Sequence, residues 1–439
     1  MAQSRLPSPL DPSPFSYVVG IDIGSQHCSR CVLRPDKRVV HKASLFANTA
    51  AGFQLLQNKL AGLGVSASQI LIGMEATSRY GDALFHFLQQ QGYQLCLLYP
   101  AQTHQFAQQR GLRAKTDKLD AVTIAHVLLS GEARVGYVPD ELISSYRELV
   151  RLHTQLTDEI ARYKNEIHAL LQVLFPEFSQ VFADPCRPTA LAVLQCYPSA
   201  AALSRVSVEE LTALLQRLAP RNYGRQTAQT LLELARASVS PGLAPRARST
   251  SMRILCDQLT HTRVNLAQVE AELEQLQEQD SGSQRLSGVP EFGDKTVAVL
   301  RAELGDVARF QRIDQAVASA GLDLAIRTSG KWQGQAKRAT RGSGLLRRVL
   351  YLAALRSIHL SNSAFGAYYH RLIARGLRKG SALVAVMGKM LIVAVHLLKT
   401  GEQYDPARVA SACGGLSRAG SASTRAPPPP TARSGAVGS

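Results

Sequence analysis

Acidic residues are absent from a long stretch near the C-terminus of this 439-residue chain, where no aspartate or glutamate occurs between Asp323 and Glu402. The same stretch holds fourteen arginine and lysine residues, and the whole chain has a formal net charge of +17 and a pI of about 9.8. Solvated protein faces normally mix the two signs of charge. The net charge is typical of a protein with a polyanionic partner, for which nucleic acid or an anionic membrane would both qualify, and the one-signed stretch predicts phosphate contacts.

Dense cysteine pairing is also missing. The seven cysteines are scattered along the chain, so a disulfide framework is excluded and the thiols are expected to be reduced. Cys28 and Cys31 form one CxxC motif beside His27, but no second pair follows at zinc-finger spacing. We interpret these two cysteines as strand residues.

Long uninterrupted apolar runs are lacking as well. The most apolar C-terminal segment, 381–398, contains Lys389 and His396, which argues against a transmembrane helix. Proline and serine occupy the N-terminal residues where a signal peptide needs a continuous apolar core. We expect a protein with no membrane partner that works in the bacterial cytoplasm, associated with the nucleoid.

The first part of the chain alternates short apolar runs with helical patterns. Strands are predicted at 17–23, 31–33, 39–45, 70–74 and 94–98, and helices at 52–63, 82–90, near 103 and at 117–129. Three strands followed by alternating helices and strands predict an α/β domain with a mixed sheet.

Two long amphipathic helices are predicted in the middle of the chain. Apolar residues alternate spacings of three and four from Leu149 to Leu174 and again from Leu255 to Leu276, as in a coiled-coil seam. These two arms could pair with each other or with a second subunit, and an ordinary helical bundle is the alternative. The helical insertion between them shows no recognisable chemistry.

Four carboxylates in the predicted α/β domain can converge, since two end strands and two open a helix. Asp22 ends the first strand, Glu75 ends a later strand, and Asp117 and Asp120 open a helix. Ends of neighbouring strands are close in space, and a spacing of three puts both aspartates on one helix face. Such a cluster is costly without divalent cations, and oxygen ligands suit Mg²⁺ or Mn²⁺. Each residue alone could equally cap a turn or a helix.

The motif GIDIGS around Asp22 also resembles the first phosphate loop of the sugar-kinase and Hsp70 ATPase fold. That fold needs a second glycine-rich phosphate hairpin and a glycine-rich adenosine loop, and after Gly81 this sequence offers helices and basic segments instead. The nucleotide-binding alternative is therefore disfavoured.

The segments GIDIGS, GMEATSRYG, YPAQTHQFAQQRGLRAKTDKLDA and GLDLAIRTSGKWQGQAKRATRGSGLLRRVLYLAA resemble the DEDD-type transposases of bacterial insertion sequences, the family numbered one hundred and ten. The likeness extends over nearly the whole chain. The long helical middle is similar to the larger subgroup numbered eleven hundred and eleven, and pilin-gene DNA invertases are similar too.

The resemblance implies an α/β RuvC-like (RNase H-like) N-terminal domain, a coiled-coil and helical middle, and a mostly α C-terminal transposase domain with a helix-hairpin-helix-like element. The corresponding boundaries are a disordered tail at 1–15, the RuvC-like domain at 16–138, the helical middle at 139–284, the serine-containing transposase domain at 285–405 and a second disordered tail at 406–439. The acidic tetrad would fall on Asp22, Glu75, Asp117 and Asp120.

The resemblance also implies a DNA recombinase guided by a structured non-coding bridge RNA, which pairs with donor and target DNA. We expect a dimer that assembles into a tetramer on that DNA. A RuvC-like structure-selective nuclease or a DNA invertase is the alternative enzyme. A non-catalytic nucleic-acid-binding protein is the alternative from another class.

The nucleophilic serine of the family matches Ser329, although a Ser-Gly turn would explain this residue without the family match. Ser343, in RGSG, is the second candidate. A serine hydroxyl needs activation and nearby cations to attack phosphorus. The basic residues predicted to contact nucleic acid are Arg327, Lys331, Lys337, Arg338, Arg341, Arg347, Arg348, Arg375 and Lys379.

Upstream of the serine, LSGVPEFGDKTVAVLRAELGD resembles a helix-hairpin-helix element, whose glycine-rich turn offers backbone N–H groups to a phosphate.

Overall fold

The computed structural model divides the chain into two compact units, residues 1–138 and 139–439. It describes residues 11–75, 79–109, 117–131, 133, 139–239, 244–322 and 342–414, with four two-residue strands between 324 and 338. Arg327, Lys331 and Arg341 lie outside the described residues.

The first unit is built on a mixed five-stranded sheet. Its elements are β1 (Tyr17–Ile23), β2 (His27–Leu33), β3 (Val39–Ala47), α1 (Ala50–Ala61), β4 (Ile70–Glu75), α2 (Asp82–Gln90), β5 (Gln94–Leu98), α3 (Pro100–Gln109) and α4 (Asp117–Leu129). The strand order is β3-β2-β1-β4-β5, with β1 to β3 antiparallel and β4 and β5 parallel to β1. This is the RuvC-like, RNase H-like arrangement expected from the sequence.

Apolar side chains fill both faces of the sheet. One face packs on α1 and α2 through a cluster that includes Val19, Ile21 and Phe53. The other face packs on α4 through a cluster that includes Val18 and Ile124. The sheet is thus buried on both sides, which explains why its central strands read as continuous apolar runs rather than as alternating ones.

Cys28 and Cys31 both lie on β2, and each is buried in a different one of these two clusters. Successive side chains of a strand point to opposite faces, so two residues three apart cannot share a ligand on one side of the sheet. The CxxC motif is therefore strand packing.

Where the structure describes the second unit, it is helical apart from four two-residue strands. Its elements are α5 (Glu141–Leu174), α6 (Pro188–Cys196), α7 (Ala200–Leu203), α8 (Val208–Leu218), α9 (Arg225–Ala237), α10 (Pro245–Gln279), α11 (Ser281–Ser287), α12 (Asp294–Leu304), α13 (Ile313–Ser319), β6 (Leu324–Ala325), β7 (Thr328–Ser329), β8 (Trp332–Gln333), β9 (Lys337–Arg338), α14 (Gly344–His359), α15 (Ala364–Ala374), α16 (Lys379–Thr400) and α17 (Pro406–Gly414).

The two predicted arms, α5 and α10, pack against each other along their length. His153 Nε2 lies 3.2 Å from Glu270 Oε1 of α10. Tyr146, nearer the start of α5, has its hydroxyl 2.8 Å from that of Ser283, which follows the end of α10, so the two arms run antiparallel. Between them, α6 to α9 form the insertion, whose core is continuous with the C-terminal half of α5 and the N-terminal half of α10.

The register predicted for the first arm is wrong in its N-terminal half. Leu152 is 42% exposed, whereas Val150 and His153 are buried. The reason is that α12 packs on α5 as well as α10 does, so the buried stripe there faces two helices instead of one coiled-coil partner.

The two segments predicted to be disordered, 1–15 and 406–439, each include residues that pack on the fold. Phe15 packs on the apolar cluster below α4, and 406–414 forms α17, in which Val409 is buried. Apolar residues are too sparse in these segments to signal a fold, and each segment is ordered by packing on an existing core.

The apolar segment near the C-terminus forms α16, which is long and apolar enough by length and composition to cross a membrane. However, 56% of its most apolar window is buried inside the unit, where α13, α14 and α15 pack on it. The core helix of a folded unit has the same properties.

Candidate active site

The carboxylates predicted from the sequence lie at one edge of the five-stranded sheet. Asp22 is one residue beyond the last paired position of β1 with β4, Ile21 with Met74, so Asp22 and Glu75 occupy equivalent places on adjacent parallel strands. Both side chains are half-buried. Because side chains alternate along a strand, both lie on the face covered by α4.

Helix α4 reaches this edge because two glycines leave room for it. A Cβ atom on Gly20 would lie 2.1 Å from the Ala121 carbonyl oxygen, and one on Gly73 would lie 2.5 Å from Leu128 Cδ1. Gly20 and Gly73 are register partners, each two residues before a carboxylate. The backbone of α4 therefore rests on the sheet directly beside Asp22 and Glu75.

The first turn of α4 carries the other two carboxylates. Asp117 is the first residue of the helix, and its side chain lies outside the described residues. Asp120 follows one turn later and is half-buried. Asp22 and Glu75 thus end adjacent strands on the face that α4 covers, and Asp120 lies on the first turn of α4, next to Ala121, whose carbonyl packs against Gly20.

Two residues that the sequence analysis missed adjoin these carboxylates. Thr103 of α3 is 5% exposed, and its hydroxyl donates a hydrogen bond to Glu75 Oε1 while lying 3.0 Å from the Pro100 carbonyl oxygen. Ser29 is the cross-strand partner of Asp22, and its buried hydroxyl has no hydrogen-bond partner among the described residues. Neither has a local sequence signal, since both are brought to the site by contacts between distant elements.

The donor set fits a hard divalent cation. The ends of β1 and β4 and the first turn of α4 offer carboxylate oxygen atoms, which Mg²⁺ and Mn²⁺ prefer. Thr103 offers a hydroxyl beside Glu75, and the buried Ser29 hydroxyl adds one more oxygen. A cluster of three or four carboxylates is unfavourable unless positive charge offsets the repulsion.

The predicted serine lies in the second unit. The strand β7 pairs with β8, with Ser329 opposite Trp332, and the outer strands β6 and β9 pair Leu324 with Arg338. Ser329 is therefore the last residue of β7, which pairs with β8, while Lys337 and Arg338 form β9, which pairs with β6. The side chains of these residues lie outside the described ones.

Ser343, the second serine candidate, has a structural role. It is the N-cap of α14, where its hydroxyl accepts a hydrogen bond from the Leu346 N–H at 3.1 Å, and its own N–H donates to the Ser319 carbonyl at 3.0 Å. Capping satisfies a helix N–H that would otherwise lack a partner.

The basic residues predicted to bind nucleic acid fall into different settings. Arg347 donates from Nη1 to the Ala320 carbonyl at 3.0 Å, so part of its guanidinium holds the chain that precedes the hairpin. Arg348 pairs with Asp158 at 3.3 Å on the surface of the unit. Arg375 and Lys379 are exposed, at the end of α15 and the start of α16.

The helix-hairpin-helix-like segment forms α11 and α12, joined by a turn that contains Gly288 and Gly293. Gly293 is the N-cap of α12. The first N–H groups of that helix, which have no partner within the helix, therefore lie next to the turn. The arrangement is the one that the sequence resemblance predicted.

Two separate stretches of the chain match known protein families. Residues 19–176 match the DEDD transposase family of IS110, described as Transposase, and residues 283–370 match the family described as Transposase IS116/IS110/IS902 family. The two matches include the α/β unit with its carboxylates and the segment that contains Ser329.

Relatives with similar sequences come from mobile elements and from a gene-inverting system. An insertion element IS110 protein of 43.6 kDa from Streptomyces coelicolor is 24% identical over 406 residues, covering 90% of this chain and 97% of the relative. The pilin gene-inverting protein of Moraxella bovis is 21% identical over 397 residues, covering 88% and 97%.

Among solved structures, T. thermophilus RuvC in complex with Holliday junction substrate is 16% identical, with a TM-score of 0.22, and covers 28% of this chain and 99% of that chain. The order and directions of the five strands give the RuvC-like fold. The family matches in both parts of the chain and the similar relatives show that the chain belongs to the IS110/IS116/IS902 family of DEDD transposases, which is related to the pilin gene-inverting proteins.

Proposed function

We propose that this transposase cleaves and rejoins a double-stranded circular element and its target DNA with metal-bound carboxylates and a serine nucleophile. The carboxylates of Asp22, Glu75, Asp117 and Asp120 would hold Mg²⁺ or Mn²⁺, and Ser329 would be the nucleophile. The observation that supports the proposal is that Asp22 and Glu75 end adjacent parallel strands on the face covered by α4, the helix whose first turn carries Asp117 and Asp120.

The carboxylates and the serine would contribute different chemistry. Bound divalent cations would stabilise negative charge on the attacking and leaving oxygens of a phosphoryl transfer. Asp22 and Glu75, fixed on adjacent strands, would set the spacing of the ligands, and Thr103 would hold the Glu75 carboxylate in one orientation. Arginine and lysine residues around Ser329 would favour the extra charge on phosphorus.

The serine step conserves the phosphodiester bond energy. Ser329 Oγ would form a bond to phosphorus as the bond from phosphorus to the departing strand's oxygen breaks; the serine loses its proton to a base and the departing oxygen takes one up. A hydroxyl of another strand then attacks the serine ester, which restores the serine and joins the new strands. The net reaction needs no energy source besides the DNA itself.

Guidance by a bridge RNA is part of the proposal and is supported by the family membership and by the acid-free stretch. A protein that leaves sequence readout to base pairing needs mainly backbone contacts, which arginine and lysine supply. Exposed Arg375 and Lys379 fit that use.

Self-association into a dimer and then a tetramer is likewise proposed. The two arms, α5 and α10, already pack against each other within one chain. A second subunit would therefore dock on their outer surface. Leu152, Ile254 and Val264 are 42%, 50% and 54% exposed there, which gives such a partner apolar contact area.

The covalent step gives the decisive test. The intact protein with Mg²⁺ and a nicked DNA substrate carrying the element's ends is expected to form a protein-DNA adduct that survives denaturation. Ser329→Ala should lose the adduct and all strand exchange while still binding nucleic acid, since the change removes one hydroxyl and no charge.

Ser343→Ala is the matched control, because it deletes the same group from a serine that caps α14. Loss of a cap costs about 1 kcal/mol of stability, and the adduct should remain. An adduct that persists in Ser329→Ala and disappears in Ser343→Ala would reverse the assignment. Free cut ends with no adduct would replace the proposal with a hydrolytic, RuvC-like nuclease.

Thr103→Val tests the positioning of Glu75. Valine has a similar shape but cannot donate to the carboxylate, and a hydrogen bond to a charged group is worth roughly 1.5–3 kcal/mol. We therefore expect cleavage to slow by about 10-fold to 100-fold and the Mg²⁺ concentration for half-maximal cleavage to rise. Thr103→Ser keeps the hydroxyl and should restore both. A valine variant with the original rate and Mg²⁺ dependence would remove Thr103 from the site.

A further inference from the structure

The helical insertion, for which the sequence indicated no chemistry, contains three side chains with metal-ligating atoms close together. His168 lies near the end of α5, and Asp184 and Cys186 lie in the turn that precedes α6. One ligand atom from each, an imidazole nitrogen, a carboxylate oxygen and the thiol sulfur, all lie within 4.8 Å of one another.

We propose that His168, Asp184 and Cys186 form a second metal site that takes Zn²⁺, separate in place and chemistry from the carboxylate site. Nitrogen, oxygen and thiolate sulfur are the ligands that Zn²⁺ uses, with metal-ligand distances of roughly 2.0–2.3 Å. A thiolate is a soft ligand that Mg²⁺ does not select, so the two sites would hold different ions. Three protein ligands leave one tetrahedral position for water.

The burial of the three residues suits an ion bound at the surface of the insertion core. Cys186 is fully buried, while His168 and Asp184 are exposed above it. An ion could therefore enter from solvent between the imidazole and the carboxylate and bind the sulfur beneath them. Small rotamer changes of two exposed side chains would bring the ligands to bonding distance.

Two side chains form hydrogen bonds with the backbone of the turn that carries two of the ligands. The Cys186 N–H donates to Asp184 Oδ1 at 2.9 Å, which leaves Oδ2 for an ion, and Arg263 of α10 donates to the Cys186 carbonyl at 2.7 Å. Pro185 and Pro188 flank Cys186 and Arg187 and restrict the backbone further. A fixed turn lowers the entropy that is lost when an ion binds.

The Cys186 thiol is buried between charges of both signs. Burial and the Asp184 carboxylate raise its pKa, while Arg263 and Lys164 act in the opposite direction. A bound ion would join α5 to the turn that begins the insertion.

The test uses the full-length protein after removal of metals with a chelator. Co²⁺, which replaces Zn²⁺, should give a thiolate-to-metal charge-transfer band in the near ultraviolet, and the carboxylate site cannot produce that band. Zn²⁺ should abolish the band by displacement. Competition with a chromophoric zinc chelator then measures affinity.

His168→Gln changes an exposed residue and should lower Zn²⁺ affinity by more than about tenfold, because even residues that only support a ligand alter affinity by roughly 10-fold to 100-fold. Cys186→Ala should lose the band altogether. The controls are His261→Gln and Cys196→Ser, which alter an exposed histidine and an exposed cysteine of the same region and should keep the band and the affinity.

Absence of the thiolate band in the unmodified protein, or equal Zn²⁺ affinity in His168→Gln and the original chain, would overturn the site. The histidine variant keeps the proposal testable even where Cys186→Ala fails to fold. Because the readouts are a spectrum and an affinity, the outcome is independent of whether the protein recombines DNA.

Discussion

Asp22→Asn is expected to abolish DNA strand cleavage while nucleic-acid binding persists. Asparagine has nearly the same shape as aspartate but no charge, so it weakens the hold on divalent cations at the point where β1 and β4 end side by side. The basic surfaces of the second unit are unchanged by it. Cleavage of a circular DNA carrying the element's ends, with Mg²⁺, and a gel-shift assay on the same DNA would measure the two properties.

Asp36→Asn is a suitable control, since Asp36 is exposed in the turn between β2 and β3, where it accepts the Arg38 N–H. Its cleavage should match that of the original chain. In metal-free buffer, the thermal midpoint of Asp22→Asn should not fall, because the substitution reduces repulsion among clustered carboxylates. Cleavage by Asp22→Asn at the original rate would remove this residue from the metal site.

The largest expected effect on stability is at Asp280, which lies where α10, α11 and α12 meet. Asp280 is 5% exposed and accepts hydrogen bonds from Arg301 Nε at 2.5 Å and Nη2 at 3.0 Å, and also from the N–H groups of Gly282 and Ser283. Breaking a buried ion pair costs about 3–5 kcal/mol, since the remaining charge is left uncompensated. Asp280→Asn should lower the free energy of unfolding by about that amount, measured by urea denaturation.

The pH dependence of this effect follows from the pKa of Asp280. Burial alone raises it, but the Arg301 guanidinium and the hydrogen bonds from Ser283 and Gly282 more than offset burial, so the pKa is below its usual value. The ion pair therefore stabilises the fold above the unfolded pKa, near 3.9. Its contribution is lost as the pH falls through the lowered folded pKa, and the two proteins should converge in stability there.

Asp314→Asn provides the comparison, because Asp314 pairs with Arg312 on the surface with side-chain exposures of 60% and 78%. Exposed pairs contribute about 0–1 kcal/mol. A similar loss of stability in both variants would mean that burial of the Asp280 pair has no special effect.

Local patterns in the sequence were sufficient for four elements of the first unit, including the strand that holds Asp22 and the helix that holds Asp117 and Asp120. The strand 17–23, the helix 82–90, the strand 94–98 and the helix 117–129 have the bounds predicted for them. Each has a continuous apolar run or an amphipathic repeat that ends in turn residues. Neighbouring residues alone therefore determine where the element begins and ends. The position of Asp22 and Glu75 at strand ends followed from the same signals.

Features that depend on packing between distant elements were not predictable. The strand β2 begins at His27 rather than Cys31, because pairing with β1 extends it through polar residues. Thr103 and Ser29 reach the carboxylates through α3 and through a cross-strand pair, and no spacing in the sequence connects them to Glu75 or Asp22. The first arm was assigned a single partner, and the second partner, α12, shifted its buried stripe.

The antiparallel pairing of α5 and α10 has a consequence for how this region can vary. Both ends of the insertion leave the pair at the same end, beyond the contacts of His153 with Glu270, and the insertion adds its own apolar core to the tip. Residues gained or lost at the tip therefore change the reach of the arm without altering the separation of the two points where it joins the rest of the unit. The pair of helices α5 and α10 can therefore vary in length while its attachment to the rest of the unit stays the same.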